Sequence, residues 1–339
     1  MEQDDLIFNF LKPSQNTKLC QLKKLDLQEL IILIKKFYLS LRNTLNLDDS
    51  ITFGLEIEFE HANTEMIDSI IDKKYSKGDD WCTVFDGSLD RGEEINSPIL
   101  RDSIKTWIDL KKVCSIVRRY AKICNHSSGH VHVGTQTLGD NSEAWINFIL
   151  LWSVYENIIF RFSYGEYYSN RPCIIKYAKP ISNVLWDSYE NLNLIDKNDL
   201  YIDDIIDNIS VDRYQAVNFH NVEYENISNF SEGNTIEFRC PNGSLNPIIW
   251  QNNVNLFIKM LLCAKNSNLD KDLILKRRRD TNVYYSLDWY SEIFLDQALE
   301  FADLIFDNNL DKLYFLRQYL KDFNFSSSGE YAKCKKFTR

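Results

Sequence analysis

The sequence predicts an α+β fold in which an antiparallel sheet carries helices on one side. Three observations point there. The candidate strands are short and bounded by turn residues. They alternate apolar with polar side chains, so one face meets a core while the other stays polar. Helical patterns are interleaved between them. A doubly wound parallel sheet would need strands that are apolar throughout.

The elements follow in order. Residues 1–24 form a polar lead-in. Leu27, Leu30, Ile31, Ile34, Phe37, Tyr38 and Leu41 fall mostly at three- and four-residue spacings, which predicts an amphipathic helix over Leu25–Leu45 with Asp26 as its cap. Thr52–Glu60 then alternates Phe53, Leu55, Ile57 and Phe59 with Glu56, Glu58 and Glu60, a strand with one apolar and one acidic face. A short helix is expected over Glu65–Lys73. Trp81–Asp86 reads as a strand closed by the turn Asp86-Gly87-Ser88, and Gly92–Pro98 as a strand stopped by its proline. Ser103–Ile123 has helical spacing. Ser128–Gly134 is a strand with His130 and His132 on one face, and Asn141–Phe162 is a strongly apolar helix.

Tyr164–Ser210 reads as a long irregular segment containing Arg171, Lys176 and Lys179. Arg213–His220 and Asn234–Cys240 read as strands, and Ile248–Ala264 as a helix. From Leu269 to Arg339 the chain is expected to be helical and highly charged, with a polar tail after Phe325.

The totals exclude several classes. With 339 residues, 44% hydrophobic and 13% aromatic, the chain can bury a substantial core. A net charge of -10 and a pI near 5.1 disfavour general nucleic-acid binding, which rests on a basic surface. No stretch has the roughly 18 apolar residues of a membrane span, and Met1–Asp5 lacks a basic-then-apolar signal, so no membrane association and a cytoplasmic location are expected. The eight cysteines are scattered and form no Cys-x-x-Cys pair, which disfavours a disulfide framework, a zinc ribbon or a redox dithiol.

Residues suited to one chemistry recur on the polar strand faces. Glu56 with Glu58, His130 with His132, and Glu237 with Arg239 are each two residues apart, so each pair shares a face. Asp86 and Glu94 belong to the strands between. Oxygen ligands with one or two imidazoles suit Mg²⁺ or Mn²⁺, whereas a closed zinc site prefers Cys or more His. Each piece also has a plainer reading, as a solvated charged face, a hydrogen-bonded His pair or a cross-strand ion pair. The absence of Gly-x-x-x-x-Gly-Lys-Ser/Thr excludes a P-loop, and nothing marks a nucleophilic triad, Ser97 having no base beside it in sequence.

The ordered set Gly54-x-Glu56-x-Glu58, Asp86-Gly87-Ser88-Leu89, Glu94-Ile95-Asn96-Ser97-Pro98, Gly129-His130-Val131-His132-Val133, Arg213-Tyr214-x-Ala216-Val217-Asn218 and Thr235-Ile236-Glu237-Phe238-Arg239 resembles the amidoligase family, relatives of glutamine synthetase and glutamate–cysteine ligase. The resemblance covers about residues 51–265. It implies a glutamine synthetase-like curved antiparallel sheet forming half a barrel, with helices on its outer face, and an ATP-dependent ligase joining a carboxylate to an amine through an acyl phosphate. The chain then divides into a helical lead-in (1–50), the catalytic domain (51–265) and a C-terminal helical extension (266–339).

Carried over by position, the resemblance gives Glu58, Asp86 and Glu94 one Mg²⁺ or Mn²⁺, and Glu56, His130 and Glu237 a second. Asp86 stands where glutamine synthetase has a glutamate, and Glu93 adjoins Glu94 without the motif's spacing to Ser97-Pro98. His132 would lie beside nucleotide or substrate, Arg213 and Arg239 would face the transferred phosphate and the substrate carboxylate, and Arg171, Lys176 and Lys179 are candidates for ATP phosphates. The partners implied are a small-molecule or peptide carboxylate and an amine. A guanidino-kinase-like phosphotransferase, a metal-dependent hydrolase and a non-catalytic binding protein are the alternatives; the retained carboxylates weigh against the last.

Overall fold

The computed structural model describes residues 12, 14–19, 34, 39–75, 80–124, 126–165, 174–195, 200–210, 212–266, 269–280 and 295–320. The elements are β1 (Phe53–Phe59), α1 (Thr64–Tyr75), β2 (Cys82–Phe85), β3 (Glu93–Asn96), α2 (Ile104–Tyr120), β4 (Gly129–Gly134), α3 (Ser142–Ser163), α4 (Ile174–Tyr177), α5 (Ser182–Leu192), α6 (Ile202–Ile209), β5 (Val217–Asn218), β6 (Thr235–Phe238), α7 (Pro247–Lys265), α8 (Lys271–Asp280), α9 (Leu295–Ile305) and α10 (Asn309–Tyr319).

The six strands form one sheet in the order β2-β3-β1-β4-β6-β5, and every neighbouring pair is antiparallel. The α+β expectation holds. Register follows from the alternation: Phe53, Leu55, Ile57 and Phe59 of β1, Ile95 of β3, Val131 and Val133 of β4, and Ile236 and Phe238 of β6 are all buried on one side. A one-residue slip would turn each of these into the polar side.

Helices cover that apolar face. Phe238 stacks on Phe257 of α7 at 4.2 Å between centroids and meets Trp152 and Phe148 of α3 at 5.9 and 6.2 Å. Phe53 stacks on Trp107 of α2 at 5.5 Å. The α3 helix is buried around nearly its whole circumference, as its all-round apolarity requires. On its other flank lie α9 and α10: Tyr155 meets Phe301 and Phe162 stacks on Phe315. The C-terminal helices share one continuous core with the sheet. Cys114 and Cys240 belong to that core and Cys124 is buried as well; Cys20, Cys173 and Cys334 lie outside the described residues. No helix among the described residues is long and apolar enough to cross a membrane.

Three expected elements differ. Residues 39–45 are not helical: Gln251 Oε1 accepts from Arg42 N at 2.8 Å, and Asp102 accepts from Leu45 N at 2.8 and 2.9 Å and from Leu47 N at 3.1 Å, so side chains take the donors a helix would use. Apart from Ile34, the rest of that predicted helix lies outside the described residues. The segment Tyr164–Ser210, read as irregular, contains α5 and α6. Ile202, Ile205, Ile206 and Ile209 of α6 stand at the i, i+3, i+4, i+7 spacing of an amphipathic helix, a signal present in the sequence and passed over. Arg213–His220 is mostly a turn, with Asp212 Oδ1 accepting from Tyr214 N at 3.0 Å, and only Val217–Asn218 pairs as a strand.

Candidate active site

The polar face of the sheet is built by the same registers. Glu58 stands opposite Glu94 and Glu56 opposite His130, while Glu237 lies between His132 on one side and Asn218 on the other. Four carboxylates and two imidazoles on neighbouring strands therefore converge, and Asp86 joins them from the turn after β2, where Ser88 N donates to its Oδ1 at 2.7 Å. They line a cavity of about 800 Å³ with Arg213 and Arg239 among its other walls.

Two ligand groups form within it. Glu58, Asp86 and Glu94 each offer an oxygen within 4.8 Å of the others, and so do Glu56, His132 and Glu237 with one atom apiece. The first is the triad carried over by position. In the second the structure groups His132 with the two carboxylates, where the resemblance placed His130. His130 is buried beneath: Nδ1 is hydrogen-bonded to Glu56 Oε2 and lies 3.3 Å from Glu237 Oε1, while Nε2 lies 3.8 Å from Glu58 Oε1. It thus touches carboxylates of both groups. His132 Nε2 lies 2.9 Å from Glu56 Oε1 and Nδ1 3.2 Å from Thr235 Oγ1.

Supporting contacts aim the carboxylates. Ser128 donates to Glu58 twice, from N to Oε2 at 2.6 Å and from Oγ to Oε1 at 2.5 Å. Asn218 Nδ2 donates to Glu237 Oε2 at 2.6 Å, and Arg239 pairs with Glu237 Oε1 while its Nε donates to Tyr177 O at 3.1 Å. Asn96 Nδ2 donates to Glu94 Oε1 at 3.1 Å.

The electrostatics divide the carboxylates. Burial acts to raise the pKa of Glu56, but His130 and His132 outweigh it, and the group stays ionised well below the usual carboxylate range. For Glu237 burial is likewise outweighed by His130, His132 and Arg239, so its pKa is lowered. Glu94 goes the other way: burial and the nearby charge of Glu56, with Glu58 adding, push it up to about 7. His130 is raised, because Glu56 outweighs the effect of its burial. Two groups of oxygen-rich donors, one carboxyl held back from ionising by burial and by its neighbours, fit divalent cations that would supply the missing positive charge.

The remaining sequence candidates separate. Arg213 lines the cavity and stacks on Tyr214, with 4.7 Å from guanidinium to ring centroid. Arg239 approaches the same ring at 5.9 Å. Lys176 and Lys179 are exposed and do not line the cavity, Lys176 lying over the Tyr177 ring at 4.6 Å. Arg171 lies outside the described residues. Glu93 turns away from the site toward Asp68, and burial with that neighbour raises its pKa to about 7. Ser97 Oγ donates to Pro98 O at 2.8 Å and accepts from Leu55 N at 2.8 Å, a strand-end contact with no base. Ser128 and Asn218 were missed as site residues, yet each was legible: Ser128 precedes His130 by two on one face, and Asn218 ends the Ala216-Val217-Asn218 motif.

The model of a family described as "Putative amidoligase enzyme" matches residues 49–261. No curated protein matches the chain. Among solved structures, the crystal structure of a novel glutamine synthase homolog is similar, at a TM-score of 0.42 and 10% identity, over 85% of this chain and 70% of that one. The family match spans more than half of the 339 residues and takes in all six strands and both ligand groups. The chain belongs to the amidoligase family.

Proposed function

We propose that the protein is an ATP-dependent carboxylate–amine ligase whose two ligand groups each hold a divalent cation, Mg²⁺ or Mn²⁺. The observation that carries this reading is the convergence of Glu58, Asp86 and Glu94, and of Glu56, His132 and Glu237, in a cavity also lined by Arg213 and Arg239. Family membership supports a ligase-type role. When bound, the cations supply positive charge that neutralises phosphate oxygens and the charge developing during transfer.

The chain's own residues take the following parts. Arg213 and Arg239 face incoming phosphate and carboxylate oxygens, Arg239 being oriented by Tyr177 O and Glu237. The substrate carboxylate attacks the γ-phosphorus of ATP, the bond to the bridging oxygen breaks, and ADP leaves with that electron pair. The amine nitrogen then forms the C–N bond of the amide, and the C–O bond breaks with its electrons on inorganic phosphate. An amine arriving as ammonium gives one proton to solvent and one to the departing phosphate. His130, buried against Glu56, Glu58 and Glu237, holds these carboxylates in register. The cavity, at about 800 Å³, has room for such reactants.

The test is thermal unfolding with Mg²⁺, ATP and both, on wild type and Glu237→Gln. A ligand at about 100 times its Kd adds roughly 2.7 kcal/mol, a shift of a few degrees for a chain of this size. A shift that needs both ligands and is lost in Glu237→Gln supports the reading; a shift with metal alone and none with ATP overturns it in favour of a hydrolase.

A further inference from the structure

Four imidazoles line the cavity, and three of them lie against carboxylates. His130 and His132 meet Glu56, and His126 Nδ1 stands 3.5 Å from Glu60 Oε1. His220 is the exception, because its partner is the neutral side chain of Asn218, two residues earlier. Phe219 between them is buried near Trp145 and Phe148, at 6.3 and 6.2 Å between ring centroids. Asn218 and His220 both line the cavity, so the alternation of the strands continues past the end of β5.

The hydrogen bonds fix which nitrogen of His220 carries the proton. Against its burial, Glu237 is kept ionised by His130, His132 and Arg239, so its oxygens only accept. Asn218 Nδ2 donates to Glu237 Oε2 at 2.6 Å, which leaves Asn218 Oδ1 to face His220. An amide oxygen is also an acceptor only. It takes the backbone N–H of His220 at 3.0 Å and the ring Nδ1 at 2.9 Å, so Nδ1 bears a hydrogen. Ser210 Oγ stands 3.3 Å from the same Nδ1. In the neutral ring the lone pair is then on Nε2, which has no hydrogen-bond partner among the described residues. A carboxylate in the ligand group therefore sets the tautomer of an imidazole in the same cavity through one intervening amide.

We propose that His220 Nε2 is the general base that takes a proton from the incoming amine. The inference rests on the ligase reading and adds a catalytic residue to it. The amine enters as an ammonium and gives one proton to Nε2, which leaves its nitrogen with a lone pair. That pair forms the C–N bond at the acyl carbon, and the C–O bond breaks with its electrons on phosphate. The second proton of the amine goes to the departing phosphate. The imidazolium returns its proton to solvent, to which His220 is exposed. Arg213 and Arg239, which would hold the acyl phosphate, line the same cavity, so base and electrophile share one space. Asn218 serves both, with Nδ2 on Glu237 and Oδ1 on the base.

Two measurements test this, the first independent of turnover. Nitrogen-15 NMR of the imidazoles, with His220 assigned by the signals missing from His220→Ala, is expected to show the neutral ring protonated on Nδ1. A ring protonated on Nε2 overturns the proposal. The second compares nucleophiles in wild type and His220→Ala, each given Mg²⁺, ATP and the standard amino acids in turn as the acid. Hydroxylamine is largely unprotonated at neutral pH and needs no base, whereas ammonium, methylamine and amino acids arrive charged. His220→Ala is expected to lose about a hundredfold in turnover with the amine that wild type uses and less than about threefold with hydroxylamine. Added imidazole should restore part of the amine turnover. Equal losses with both nucleophiles, as a merely structural residue would give, or undiminished amine turnover would each overturn the role of His220. Hydroxamate from wild type leaves the ligase reading standing in either case. No hydroxamate from wild type with any acid removes the ligase reading, and the role of His220 with it.

Discussion

The two faces of one set of strands obey opposite rules. On the helix side, Phe238 meets three aromatic rings, and these contacts favour the folded chain. On the cavity side, one position away, Glu237 shares a confined space with Glu56, His130, His132 and Arg239. The imidazoles and Arg239 hold Glu56 and Glu237 ionised there, while burial and the neighbouring carboxylates hold Glu94 back from ionising until a counter-charge arrives. The comparison teaches that stability and function are assigned to alternate residues of the same strands, and that a substitution reports one or the other according to its parity.

The strongest way to break this comparison is Phe238→Ala. Removing a buried ring from the α3–α7 layer is expected to lower stability by about 3–5 kcal/mol, read as a lower denaturant midpoint with or without ligands. If the loss is under about 1 kcal/mol, the apolar face is not the stabilising one. The next effect belongs to the other parity. Glu56→Gln is expected to cut turnover by at least about a hundredfold and to lower the metal-free unfolding midpoint by less than Phe238→Ala does, because His130 and His132 lose the carboxylate that both contact. Retained turnover would remove Glu56 from the site.

Two smaller effects sharpen the contrast. Ser128→Ala leaves the backbone donor to Glu58 but removes the Oγ donor to its buried carboxylate, and about 1–3 kcal/mol of stability should go with it. Metal affinity should fall too, since one oxygen of Glu58 is no longer aimed. The smallest effect is a pH dependence. The Glu94 carboxyl is raised to about 7 in the folded chain from an ordinary 4.5, so the folded state holds a proton that the unfolded state releases. This favours folding fully below about pH 4.5 and fades as pH rises through 7. Metal-free wild type should therefore lose stability across that window, by roughly 1 kcal/mol from Glu94 once partial exposure is allowed for, and Glu94→Gln should lose less, the remainder coming from Glu93. Metal affinity should run oppositely, weakening as pH falls through about 7, because the bound cation needs the carboxylate. Calorimetric titration of Mg²⁺ at several pH values checks this, and a flat profile would separate Glu94 from the ligand group.

How much was legible in the sequence can be judged element by element. The alternation of Phe53 to Glu60 placed β1 with both faces correctly assigned, because a period of two leaves no other arrangement with one buried face. The Asp86-Gly87-Ser88 turn and the His130–His132 pair were read from local chemistry alone. Less legible was the Tyr164–Ser210 stretch, where only the isoleucine spacing of α6 marks a helix within a polar segment. Lys176 and Lys179 carried the right charge for phosphate, yet neither lines the cavity, and charge in a segment does not reveal its direction. Nor does proximity in sequence separate two histidines that share a strand face: His132 joins the ligand group, and His130 sinks among three carboxylates.

By itself, the sequence determined which residues share a strand face, which face is apolar and which family's motifs recur in order, since these follow from periodicity and spacing along one chain. Only the tertiary structure decided which strands are neighbours, and therefore that Glu58 meets Glu94 and Asp86 while Glu56 meets Glu237 and His132. The physical reason is that the sheet brings together residues as far as 181 positions apart, as Glu56 and Glu237 are across the intervening β4, and no local pattern encodes such a distance.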